Sequence, residues 1–167
     1  MSLELRAVSW DDPAGEQLRT AQRVELTARY GDPNSEPGPL PTADDMTVYY
    51  VAFDDGSPVG CAGLRALDAE HGEIKRMYVQ PGSRGTGVAV ALLRRLEDDA
   101  RSFGWRRLVL ETGERQPEAM RFYEREGYRS IPPFGYYADS PISRCYEKVL
   151  ADAAPRESAP QESAPTE

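Results

Sequence analysis

Histidine, cysteine and long apolar runs are all scarce in this 167-residue sequence, and each scarcity excludes something. The one histidine, His71, sits between Glu70 and Gly72 in a stretch that reads as a turn. A zinc centre or a Ser-His-Asp triad is hard to assemble around a single such residue. The two cysteines, Cys61 and Cys145, lie far apart in apolar, strand-like contexts without metal-ligand spacing. They read as buried thiols of a reducing compartment, and no metal is expected. No apolar stretch is long enough to span a bilayer, and the opening MSLELRAVSWDD carries charge where a signal peptide would be apolar. A cytoplasmic protein with no membrane partner is expected. Lysine is rare too: of 20 basic residues only Lys75 and Lys148 are lysine, a bias that suits genome base composition.

Negative charge is plentiful instead. The formal net charge of −8 argues against a nucleic-acid partner and is compatible with a cationic small molecule. Asp152, Glu157, Glu162 and Glu167 against Arg156 put −3 in the last 17 residues and leave −5 on the body. That tail, in which ESAP occurs twice, reads as low-complexity and disordered over 151–167. The remaining 1–150 is the length of one domain, and a hydrophobic share of 40% is enough for a core.

Periodicity gives the order β-α-loop-β-β-β-α-β-α-β-β. Strands are predicted over 3–9, 46–54, 58–68, 73–79 and 106–112, with two more between 128 and 150. The predicted helices are Pro13–Tyr30, capped by Asp11–Asp12; 87–103, ended by Gly104; and 117–126, ended by Gly127. Residues 31–45 are rich in proline and glycine and read as a loop with room for a helical turn.

The turn SRGTG at 83–87 joins a strand to a helix and carries Gly85 and Gly87. Bare backbone N–H groups at a helix start, aided by the helix dipole, suit a phosphate or pyrophosphate. The turn has no GxxxxGK[ST] pattern, and the third position of a G-x-G-x-x-G run is Val90, so P-loop and Rossmann sites are excluded.

Arg84-x-x-Gly87-x-Ala89 resembles the Q/R-x-x-G-x-G/A signature of the GCN5-related N-acetyltransferases (GNAT). EIKRMYVQPGSRGTGVAVALL is similar to that family's central strand, turn and helix, and PEAMRFYEREGY to its next helix. The likeness covers about residues 3–150. It implies a single-domain α/β fold: a mixed, mostly antiparallel sheet of about 6–7 strands, splayed at its middle and flanked by about four helices. It further implies acetyl-coenzyme A as cosubstrate, a small primary amine or amino-acid-like acceptor, and direct transfer in a ternary complex by a monomer or homodimer. Protein-lysine or N-terminal acetylation, and a non-catalytic acyl-CoA sensor, are the alternatives.

By position the resemblance lays the pyrophosphate on the backbone of Gly82, Ser83, Arg84, Gly85, Thr86, Gly87, Val88 and Ala89. It sets the pantetheine arm against open N–H and C=O groups of Met77 and Val79, with an N–H near Tyr78 or Val79 polarising the thioester. It makes Tyr123 the general acid and Glu73 the general base, with Glu111 competing for that role or attracting an ammonium group. Gln116 stands where the family often has Asn against the pantetheine. The acceptor is expected between the 31–45 loop and the corner carrying Tyr136 and Tyr137.

Overall fold

Asp12 accepts backbone hydrogen bonds from Ala14 and Gly15, Pro13 fills the first helical position, and left-handed Gly31 closes the last turn. These caps set α1 at Pro13–Tyr30, as predicted. The structure is a computed structural model that describes residues 2–150; the tail expected over 151–167 lies outside the described residues.

The other elements follow in the predicted order. They are β1 (Leu3–Ala7), β2 (Val48–Asp54), β3 (Ser57–Ala66), β4 (His71–Val79), α2 (Val88–Ser102), β5 (Arg107–Gly113), α3 (Pro117–Arg125), β6 (Arg129–Ile131) and β7 (Ser143–Val149). His71 opens β4 instead of sitting in the turn, with Nδ1 2.8 Å from an Asp68 oxygen. Among the described residues there are three α-helices rather than about four. The loop after α1 holds only a short 3-10 turn, Ala43–Asp45.

The seven strands form one sheet in the order β1-β2-β3-β4-β5-β7-β6, antiparallel except for the β4–β5 pair. Period-2 alternation sends Tyr49, Val51 and Phe53 of β2 to one face and Tyr50 and Ala52 to the other. Leu18 of α1 covers the first face; Leu92, Leu93 and Leu96 of α2, with α3 beside it, cover the second. Each such leucine is fully buried and contributes roughly 1.5–3 kcal/mol.

Two irregularities in β4 make room for a site. Pairing with β5 runs from His71–Arg107 to Ile74–Leu110 and stops, although both strands continue. On the other edge, Tyr78 pairs with Cys61 and Lys75 with Gly63, so β4 carries one residue more than β3 across that interval. The bulge sits at Arg76, whose φ of 59° is left-handed. A non-glycine residue there costs on the order of 1–3 kcal/mol. The extra residue resets the alternation, so Ile74 and Val79 enter the same core.

Candidate active site

Where β4 and β5 part, a cavity of about 520 Å³ opens, within the range of small-molecule sites. One end is the turn before α2. Gly85 and Gly87 have φ of 79° and 95°, and a Cβ on either would meet no atom within 4 Å. The backbone, not a crowding neighbour, demands glycine, and the space above the turn is open. Gly87 is the N-cap of α2 without a side-chain cap, so the first helical N–H groups remain available to an anion.

Ser83, Arg84, Gly85, Gly87 and Ala89 line this end, whereas Gly82, Thr86 and Val88, expected beside them, lie off the cavity wall. Val88 is buried under α2, and the Thr86 hydroxyl donates to the Ser83 carbonyl. The Arg84 side chain is also not free for an anion. Its Nε donates to the Val79 carbonyl at 2.8 Å and its Nη2 to Glu25 at 2.8 Å, tying the turn to α1.

Met77, Tyr78 and Val79 form the adjoining wall. The carbonyls of Met77 and Val79, expected to be open, are both taken. Gln22 Nε2 donates to Met77 at 3.0 Å, and Arg84 serves Val79. Carbonyls that a splayed strand leaves without a neighbour need other donors, and side chains from α1 and the turn supply them. The cost appears at Gln22, whose Oε1 is buried with no partner among the described residues.

Gln116, the N-cap of α3, and Tyr123 face the cavity from the opposite side. Tyr123 packs edge-on against Phe122 and Tyr128. Its hydroxyl has no hydrogen-bond partner among the described residues, and burial alone raises its pKa. Across the mouth, Arg29 of α1 clasps Glu118 of α3 with Nη1 at 2.9 Å and Nη2 at 2.5 Å.

The far end is built from charges. Glu73 is enclosed, with a side chain only 1% exposed. Arg65 Nη2 holds Oε1 at 2.5 Å, and the Tyr137 hydroxyl donates to Oε2 at 2.8 Å. Each oxygen so bound keeps a second lone pair, and Glu73 lines the cavity. Glu111 differs: it accepts one hydrogen bond, from Ser143 Oγ at 2.8 Å, and has no cation within ion-pair distance among the described residues. Burial pushes its carboxyl up to about 7, the Ser143 bond pulling weakly the other way.

Tyr137 is buried beneath this end, joining Glu73 to Lys75 through its hydroxyl instead of facing an acceptor. Tyr136 does not reach the cavity. It is 64% exposed, and its ring covers Gly38. Lys75, Arg76 and Glu36 carry charge here that sequence reasoning missed. The signal was present as two adjacent cations, Lys75-Arg76, in the middle of a strand buried on both faces.

The acetyltransferase (GNAT) family model matches residues 13–128. An IAA acetyltransferase of Azospirillum brasilense is 42% identical over 104 residues, 61% of this chain and 67% of that protein. The uncharacterized N-acetyltransferase YsnE of Bacillus subtilis is 34% identical over 105 residues, 62% and 70% of the two chains. Among solved structures, a candidate acyl-CoA N-acyltransferase of Klebsiella pneumoniae superposes with a TM-score of 0.75 at 28% identity, covering 89% of this chain and 97% of that one. The PaiA N-acetyltransferase of Thermoplasma acidophilum, in complex with coenzyme A, shares the fold at a TM-score of 0.66 and 18% identity, covering 89% and 99%.

Proposed function

The chain belongs to the acetyltransferase (GNAT) family, and we propose that it transfers the acetyl group of acetyl-coenzyme A to a small amine by direct attack in a ternary complex. One observation carries this reading: the parting of β4 and β5 opens a cavity that joins a helix start suited to a diphosphate to a buried carboxyl with no cation within ion-pair distance among the described residues. The coenzyme A complex of the Thermoplasma relative supports the choice of donor.

The diphosphate rests on the N–H groups around Gly85, Gly87 and the first turn of α2. The pantetheine arm lies between β4 and β5, beside Gln116. A backbone N–H near Tyr78 or Val79 polarises the thioester carbonyl as the amine attacks. The phenol of Tyr123, kept neutral by burial, donates its proton to the departing thiolate.

The amine arrives as an ammonium with a pKa near ~10 and must lose a proton to attack. We assign the base role to Glu111 and not to Glu73. A carboxyl near 7 is ionised in part at neutral pH, attracts the ammonium, and accepts its proton more readily than an ordinary carboxylate. Glu73, bound by Arg65 and Tyr137, braces this end of the cavity.

Calorimetry with acetyl-coenzyme A, followed by thiol release against a set of small amines, tests the reading. Binding at micromolar to millimolar acetyl-coenzyme A and amine-dependent release are expected. Tyr123→Phe is expected to keep the affinity and lose turnover by about 10²-fold. An absence of binding heat at millimolar acetyl-coenzyme A would overturn the proposal; binding without transfer to any amine would leave a sensor.

A further inference from the structure

Glu36 already places a carboxylate in the acceptor end of the cavity. Its Oε2 receives Lys75 Nζ at 3.0 Å and its Oε1 lies 2.9 Å from Arg76 Nη1, so the two oxygens are forked between two cations. The side chains of Lys75 and Arg76 are each only 8% exposed. Both cations are fixed on β4, and Arg76 is the residue held in the left-handed conformation at the bulge. Strain of this kind persists where the surrounding structure imposes it and is concentrated at functional positions.

The carboxylate is held far less firmly than the cations. Glu36 comes from the segment between α1 and β2, in which residues 31–34 and 38–40 are exposed and no regular structure forms before Ala43. Pro37 keeps Glu36 extended, which aims it at β4 without anchoring it in the core. The tie at Gly38 is the exposed ring of Tyr136. The backbone of such a segment opens more readily than the strand beneath it, and the two ion pairs of Glu36 are what an opening must replace.

Charge says what must replace Glu36 when it leaves. Arg65, Lys75 and Arg76 then face Glu73 and the partly ionised Glu111, which leaves an excess of positive charge at this end of the cavity. Partly buried cations that lose a partner are unfavourable, so this excess favours an entering anion. Glu111 lines the same cavity and is close enough for both Glu36 and Lys75 to act on its charge.

We propose that Lys75 and Arg76 form a subsite for the carboxylate of the acceptor, that Glu36 occupies this subsite in the free protein, and that the incoming carboxylate displaces it. The acceptor is thereby an amine that also bears a carboxylate, an amino acid or a compound of that class. Its carboxylate is fixed at β4 and its ammonium group at Glu111. The amine half of this assignment rests on the acetyltransferase reading; the carboxylate half does not.

Calorimetry on the full chain with coenzyme A present compares two product-like probes, N-acetylglycine and N-acetylglycinamide, which differ in the carboxylate alone. Wild-type protein is expected to prefer the acid several-fold. Glu36→Gln removes the competing group without changing its shape, and is expected to bind the acid about tenfold more tightly while leaving the amide unchanged, the gain expected when a self-occupied site is freed. Arg76→Gly suits the left-handed backbone and is expected to abolish the preference. Equal affinity for acid and amide in both wild type and Glu36→Gln would overturn the subsite, and the wild-type comparison decides alone if Glu36→Gln fails to fold. Because neither probe is turned over, a preference for the acid without any acetyl transfer would fault the enzymatic reading only. Transfer to neutral amines with no preference would fault the subsite only.

Discussion

The two ends of the cavity are built from different materials. The turn end consists of backbone: two left-handed glycines and the uncapped start of α2, contiguous in sequence over 83–89. The acceptor end consists of side chains brought together from the segment after α1, from β4, from β5 and from the corner before β7. A backbone site recognises what every donor molecule has in common, a diphosphate, and its geometry is set by local chain conformation. A side-chain site recognises one acceptor, and its geometry depends on every element that contributes a residue. The first is therefore general and the second particular, although one cavity holds both.

The sharpest way to break that division is to disable the acceptor end and leave the turn untouched. Glu111→Gln removes the proposed base while keeping its shape and its bond to Ser143. Turnover is expected to fall by about 10²–10⁴-fold with acetyl-coenzyme A affinity unchanged. Stability should move in the opposite direction. In the folded chain burial holds this carboxyl near 7, well above its ordinary value of 4.5, so the folded state binds the proton more tightly than the unfolded one. The stability this confers is complete below the unfolded pKa and is lost as pH rises through the folded one. Glu111→Gln should therefore be more stable than wild type at about pH 8, by roughly 3 kcal/mol, and match it at about pH 4. Thermal melts across that range check the sign; a variant less stable than wild type at the alkaline end would mean that Glu111 is a structural carboxylate.

The same contrast explains what the sequence disclosed. The order of elements, the cap at Asp12 and the glycine turn all rest on interactions within a few residues, and all were legible. The splay was implied by family resemblance, not by periodicity, since nothing in β4 or β5 alone says where their pairing stops. The bulge at Arg76 was invisible because arginine has no preference for a left-handed backbone. Missing it hid the shift that carries Ile74 and Val79 into one core. Glu73 and Tyr137 were both picked out, but their roles could not be read, because the partners that enclose Glu73 lie 8 and 64 positions away. Glu36 stands in a proline-rich loop 39 positions from Lys75, and nothing local in the sequence sets the two together.

At the turn end, the claim that the backbone holds an anion is sharpened by a pair of substitutions. At Gly87 neither Asn nor Asp meets a protein atom on building its Cβ, and these are the non-glycine residues best tolerated at positive φ. Both variants should fold. Gly87→Asn measures the steric effect alone and is expected to weaken acetyl-coenzyme A binding about tenfold or less. Gly87→Asp adds one negative charge at the same point and is expected to weaken it about 10²-fold, the further tenfold corresponding to about 1.4 kcal/mol of repulsion. Equal losses for the two would mean that no anion sits at this helix start.

The smallest effect is expected where the two ends meet, at the Arg29–Glu118 clasp across the mouth. The Arg29 guanidinium holds the Glu118 carboxyl at about 2, a value that taken alone implies substantial stabilisation. The Glu118 side chain is 49% exposed, however, and water screens an exposed pair to roughly 1 kcal/mol at most. The group is depressed in the folded state, so whatever it contributes is present above the unfolded pKa and disappears as pH falls through the folded one. Glu118→Gln should lower the melting point slightly at neutral pH, and the difference should vanish below about pH 2 and shrink in about 1 M salt. A clasp that governs entry would instead show itself in the rate of acetyl-coenzyme A association. A several-fold faster association in Glu118→Gln, with equilibrium affinity unchanged, would make this pair a gate and not a brace between α1 and α3.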